Sequence, residues 1–161
     1  MSPEFVQLGP LILIAPLLII MALHDLKFLK ISNFLVLAMI AVFLLSAPFF
    51  LTWQEISYRI LFAVAVFFLG FAGFAFRLWG GGDVKAIAAL VLFVPSYSLL
   101  LFFFCFAASM GIGMFVVVSC RFLVLPQCVW SALRPKAGYP MGVSIAMAGI
   151  LLPFASLMLA A

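Results

Sequence analysis

Two aspartates stand where a hydrophobic chain should not place them. Asp25 closes the first long apolar run, in Leu23-His24-Asp25-Leu26-Lys27, and Asp83 follows a glycine cluster, in Trp79-Gly80-Gly81-Gly82-Asp83-Val84-Lys85. They are two of only four acidic residues. Both lie at boundaries of hydrophobic segments rather than in charged loops, and an ionisable group at membrane depth is costly unless it is paired, hydrated or functional. Two carboxylates that share one site form an acid–base pair: the ionised member takes a proton from water and the protonated member donates to the group under attack. Like charges held close cannot both ionise, so the pair titrates as a unit, and the sequence leaves open which Asp holds the proton. The chemistry this predicts is hydrolysis of a peptide bond at the edge of a bilayer.

Each residue has a plainer role beside the chemical one. Asp83 also reads as an N-cap, its carboxylate accepting backbone N–H groups at the start of a helix, a role compatible with catalysis. Asp25 alone reads as a solvated loop residue paired with Lys27 or Lys30, a contact that contributes little when exposed. Gly80 and Gly82 favour the functional reading, because they permit backbone conformations closed to other residues and let a second chain approach closely. Lys85 either orients a substrate or snorkels to lipid headgroups. Asn33 either hydrogen-bonds near Asp25 or caps the following helix. His24 could tune Asp25 or act as a base, but a single interfacial histidine reads first as a polar end-cap. Glu55 and Arg59 have the i, i+4 spacing of a modest surface pair.

Other catalytic sets are missing. The sequence contains no GxSxG, no HExxH and no dinucleotide fingerprint. Cys105, Cys120 and Cys128 form neither a CxxC pair nor a disulfide framework. No cofactor and no metal is expected, since a metal site needs more ligands than one cluster here supplies. The net charge of +4 is spread along the chain and makes no nucleic-acid patch; its natural partner is an anionic membrane leaflet.

The elements that must position these residues follow from composition. The 161 residues are 70% hydrophobic and 7% charged, with mean hydropathy +1.47. Such a chain cannot cover its apolar surface, so lipid is its solvent. Apolar runs of helical length predict an all-α membrane protein, a polytopic bundle of about six transmembrane helices forming one domain over residues 1–161. The expected spans are Phe5 to His24 with a kink near Pro16, Ser32 to Leu51, Tyr58 to Leu78, a short Val84 to Val94, Ser98 to Ser119, and Tyr139 to Leu159. The first run lacks the basic flank of a secretory signal and reads as a retained span. The short span suggests a notch below the membrane surface, bounded by the glycine run.

Basic residues set the orientation. Lys27 and Lys30, Arg77 and Lys85, and Arg121, Arg134 and Lys136 fall in alternate connections, which face the cytoplasm if the N-terminus is outside. Asp25 and Asp83 then share the cytoplasmic side. The long connection from Arg121 to Gly138 reads as a segment lying on that surface. Small residues at Ala107/Gly111, Ser109/Gly113 and Gly142/Ala146 would let the last two spans pack closely. No internal repeat supports a transporter of inverted halves.

These residues resemble a known family. Gly80-Gly81-Gly82-Asp83-Val84-Lys85 looks like the GxGDxK motif of the type IV prepilin peptidases, aspartyl proteases of the inner membrane. The stretch from Asp25 to Asn33 is similar to that family's first aspartate motif, with Ser32 where proline is usual. Tyr139-Pro140-Met141-Gly142 resembles the opening of its last span, with the first two residues exchanged and Met141 where tyrosine is frequent. The resemblance is to the short form found with tight-adherence (Flp-type) pili, which lacks the amino-terminal domain linked to methylation. It implies cleavage of the leader of a prepilin or pseudopilin, a substrate with a basic leader and an apolar helix, on the cytoplasmic side of the cell inner membrane. The implied catalytic residues are Asp25 and Asp83, with Gly80, Gly82, Lys85 and Asn33 shaping the site. The readings from other classes are a small proton- or ion-coupled transporter using the same acids as a relay, and a non-catalytic membrane subunit of an assembly machine.

Overall fold

A computed structural model describes residues 6–123, 129–134 and 137–160. Every regular element among them is helical: α1 (Gly9–Leu13), α2 (Ala15–Phe28), α3 (Asn33–Phe50), α4 (Trp53–Ala75), α5 (Gly81–Val91), α6 (Leu99–Leu123) and α7 (Met141–Ala160), with short 3-10 turns at Ser96–Ser98 and Ser131–Leu133. Four segments are long and apolar enough to cross a membrane: Asn33–Phe50, Trp53–Ala75, Ser96–Leu123 and Met141–Leu159. Of the six spans expected, four are of that kind among the described residues; the first is a broken helix and the fourth a short one.

The physical reasons are local. Pro16 has no N–H to give to the carbonyl four residues back, so the first helix divides at Ile14, two residues before the proline expected to kink it. The second piece ends where Leu29 turns left-handed at φ 51° and donates its N–H to the Asp25 carbonyl at 2.8 Å. Ser32 caps α3 by accepting the Phe34 N–H at 3.2 Å, and Thr52 caps α4 by accepting that of Glu55 at 3.3 Å. Helix α5 has 11 residues, which at about 1.5 Å each reach only about halfway across a bilayer core.

The helices sort into two packed groups. Helix α2 packs chiefly on α7, which packs in turn on α6; α5 packs chiefly on α4. The groups meet where α7 has no side chain. A Cβ on Gly149 would lie 2.7 Å from Leu18 of α2 and 3.1 Å from Leu90 of α5, both fully buried. Gly113 does the same for α6, lying against Tyr139 and Ser144, whereas Gly111 has nothing near it. Close packing of the last two spans thus uses the Ser109/Gly113 pair and not Gly111. Large apolar side chains such as Leu45, Phe49, Leu69 and Phe115 point outward, which suits lipid and not water.

Part of the segment expected to lie on the membrane surface is described. Its 3-10 turn at Ser131–Leu133 packs against α2 and α6, with Ala132 buried. Arg121 holds it, donating from Nε to the Ala132 carbonyl at 3.0 Å and from Nη2 to that of Gly138 at 2.8 Å. Residues 124–128, 135 and 136 of this connection, Cys128 and Lys136 included, lie outside the described residues.

Candidate active site

Asp25 is not the solvated loop residue its neighbours suggested. It sits in the last turn of α2 and is 4% exposed. Its Oδ2 accepts the N–H of Gly142, the second residue of α7, at 2.7 Å. The first N–H groups of a helix have no intrahelical partner and favour an anion, so α7 aims its N-terminus at this carboxylate. Burial nevertheless raises the Asp25 pKa above the usual carboxylate value, against the opposing pull of the Gly142 N–H and of His24.

Asp83 stands in the first turn of α5, outside the four spanning segments. It does not occupy the N-cap position, which belongs to Gly80. Its carboxylate reaches back to accept the Gly80 N–H at 3.2 Å. Burial, and then the charge of Asp25, push its pKa up to about 6, with the Gly80 bond pulling the other way. The two acids therefore sense each other.

Both line one cavity of about 740 Å³ together with His24, Lys30, Asn33, Gly80 and Gly82. The wall is assembled from the end of α2, the α2–α3 turn and the start of α5. The glycines contribute space and not unusual backbone, since no described glycine has positive φ. A Cβ on Gly80 would press within 2.8 Å of Asp83 Oδ2, and one on Gly82 would lie 3.4 Å from Ile31. The expectation that the glycine run adopts conformations closed to other residues is corrected: Gly81 and Gly82 are helical and Gly80 is extended.

The remaining candidates divide. Asn33 neither approaches Asp25 by a hydrogen bond nor caps α3, which Ser32 does; its Oδ1 accepts from Lys85 Nζ at 3.2 Å. That bond joins α3 to α5 at the cavity rim. His24 Nδ1 donates to the Lys30 carbonyl at 2.8 Å and its ring rests on Phe28, so it ties the helix end as an end-cap does. Lys27 lies over the Phe28 ring at 5.2 Å. Cys105 and Cys120 are half-buried away from the cavity, and no metal-binding cluster occurs among the described residues.

Sequence reasoning missed two features. One is Gly142, whose backbone holds Asp25; the only signal was its place in the Tyr139-Pro140-Met141-Gly142 stretch. The other is the Glu55–Arg59 pair, expected on the surface. Arg59 is 0% exposed, its Nε bonded to Glu55 Oε1 at 2.9 Å.

Fold and site together define an all-helical membrane protein with two interacting carboxylates in one cavity. A family model described as the type IV leader peptidase family matches residues 12–118, well over half of the chain, and the chain belongs to that family. It is accordingly a membrane peptidase. Searches of curated proteins and of solved structures returned no match.

Proposed function

We propose that this protein is an aspartic endopeptidase that removes the leader from prepilin-like substrates at the cytoplasmic face of the inner membrane, with Asp25 and Asp83 as its catalytic pair. The observation that carries the reading is that these two acids, 58 positions apart, line the same cavity, where the charge of Asp25 adds to burial in pushing the Asp83 carboxyl up. Asp25, steadied by the Gly142 N–H, is suited to the ionised state that draws a proton from water. Asp83, with its carboxyl pushed up to about 6, is suited to hold the proton that goes to the scissile carbonyl oxygen or the leaving nitrogen. Water attack leaves Asp25 protonated and Asp83 ionised; collapse of the tetrahedral diol then passes the Asp25 proton to the leaving nitrogen and a diol hydroxyl proton to Asp83, which restores the pair.

The substrate would lie extended along Gly80 and Gly82, which line the cavity beside Asp83. Asn33 and Lys85, bonded to each other, would frame the rim and meet the polar groups next to the cleavage point. With an N-terminus outside, the distribution of basic residues would put this cavity on the cytoplasmic side. The transporter reading draws no support from the family to which the chain belongs.

The test is leader cleavage by purified protein in lipid with a prepilin substrate. Asp25→Asn and Asp83→Asn keep shape and remove the exchangeable proton, so each should abolish processing. The double variant should be little worse than either, because residues acting as one unit are not additive. Near-normal cleavage by either single variant removes that aspartate from the mechanism.

A further inference from the structure

We infer that Arg59, remote from the proposed site, is a positioning residue for it: by tying together the far ends of the two helical rods that carry Asp25 and Asp83, it fixes how the carboxylates face each other. The inference rests on the aspartate-pair reading. Arg59 is fully buried near the start of α4. Its Nη2 donates to the Gln7 carbonyl and its Nη1 to the Phe93 carbonyl, each at 3.0 Å. Glu55 aims the guanidinium through Nε, and is itself held by the Ser96 N–H at 2.8 Å and hydroxyl at 2.7 Å.

Each of the two carbonyls belongs to a rod that leads to an aspartate. Gln7 opens the α1–α2 rod, where the Leu11 N–H bonds to Leu8 and leaves the Gln7 oxygen to the arginine. Phe93 follows the end of α5, where a helix C-terminus favours a cation. Asp25 lies at most about 27 Å along the first rod, which is broken at Ile14, and Asp83 roughly 15 Å along the second, at about 1.5 Å per residue. The rods belong to different packed groups, α2 with α7 and α5 with α4. A pivot of about 5° at the fastened end carries Asp83 by about 1 Å, a misplacement that can cost about a hundred-fold in rate.

The choice of arginine also fits. A buried guanidinium is tolerated only with its donors satisfied, and its planar fork holds two acceptors at a fixed spacing that the single point charge of lysine does not. A side chain serving only to neutralise Glu55 would not need to bridge two backbone segments from separate groups.

The experiment uses full-length protein in lipid, with Arg59→Lys and Glu55→Gln compared with wild type. Leader cleavage gives kcat and KM separately. Spin labels at Lys27→Cys and Arg77→Cys, in a background with the three native cysteines replaced, report the distance between the two groups at the site end. Arg59→Lys keeps the charge and loses the fork; kcat should fall about ten- to a hundred-fold with KM within about two-fold, and the label distance should broaden. Glu55→Gln only loosens the aim, and should lower kcat about three-fold with a smaller broadening. Wild-type kcat and distance in the folded fraction of Arg59→Lys overturn the inference, leaving Arg59 a stabilising residue only. If Arg59→Lys does not insert, the same wild-type result in Glu55→Gln overturns it. The distance is read without catalysis, so a failure of the aspartate-pair reading, seen as persistent cleavage by Asp25→Asn, is distinguishable.

Discussion

Gly142 donates its backbone N–H to Asp25 Oδ2 at 2.7 Å, and it has no room for a side chain: a Cβ there would lie 2.9 Å from both Asp25 Cβ and Oδ2. The last helix thus meets the first through an absent side chain, so that α7 can present an N–H to a buried acid.

Gly142→Ala should therefore push Asp25 aside. Overpacking of this kind costs about 1–3 kcal/mol, and a displaced catalytic group about a hundred-fold in kcat. Cleavage assays with thermal unfolding in the same lipid separate the two effects. Wild-type kcat in the alanine variant would show that the Gly142 contact does not position Asp25.

The glycine run makes a sharper contrast. A Cβ on Gly80 would crowd Asp83 Oδ2 at 2.8 Å, whereas one on Gly82 would meet Ile31 at 3.4 Å, an ordinary contact. Gly80→Ala should lose activity and shift the pH profile, because it moves Asp83 itself. Gly82→Ala should fold and melt as wild type within about 0.5 kcal/mol, and any loss of cleavage should appear mainly in KM. A destabilised Gly82→Ala protein contradicts the packing described here.

The paired acids predict a bell-shaped pH dependence. The singly protonated pair is the active form, so activity should fall as pH rises past the Asp83 value of about 6, and again in acid once both groups are protonated. Stability follows the same sign. The folded protein binds the Asp83 proton more tightly than the unfolded chain, whose carboxyl titrates near 3.8. This group's contribution is thus full below about pH 4 and is lost as pH rises to about 6. Asp83→Asn removes that slope while its amide oxygen still accepts from Gly80. A pH–rate profile and melting curves from pH 4 to 8 check both statements; an Asp83→Asn slope equal to wild type rules out this titration.

Cleavage should need neither thiol nor metal. Cys105 and Cys120 are remote from the cavity, and a thiol without an activating base is a weak nucleophile at neutral pH. Replacing all three cysteines, or adding a chelator, should leave kcat within about two-fold. Loss of activity on chelation with recovery on adding metal replaces the two-aspartate scheme with a metal hydrolase.

The sequence by itself determined the class and the chemistry to look for. Its composition requires lipid as solvent, its apolar runs require helices, and Asp25 and Asp83 stand out because acids are scarce in such a chain. Short-range signals were legible in part: Pro16 breaks the first helix within two residues of itself, whereas the cap of α3 falls on Ser32 and not on the expected Asn33. Only the tertiary structure decided what each polar group touches. Glu55 and Arg59 have the same i, i+4 spacing whether they face water or the core, and burial was fixed by the Gln7 and Phe93 carbonyls, 52 and 34 positions from Arg59. The partner of Asp25 lies 117 positions away, and that of Asn33 lies 52 away. Local pattern records the conformation of a few neighbouring residues. The group each helix belongs to and the meeting of two acids in one cavity depend on how the helices pack, where a missing side chain at Gly142 or Gly149 counts as much as any side chain present.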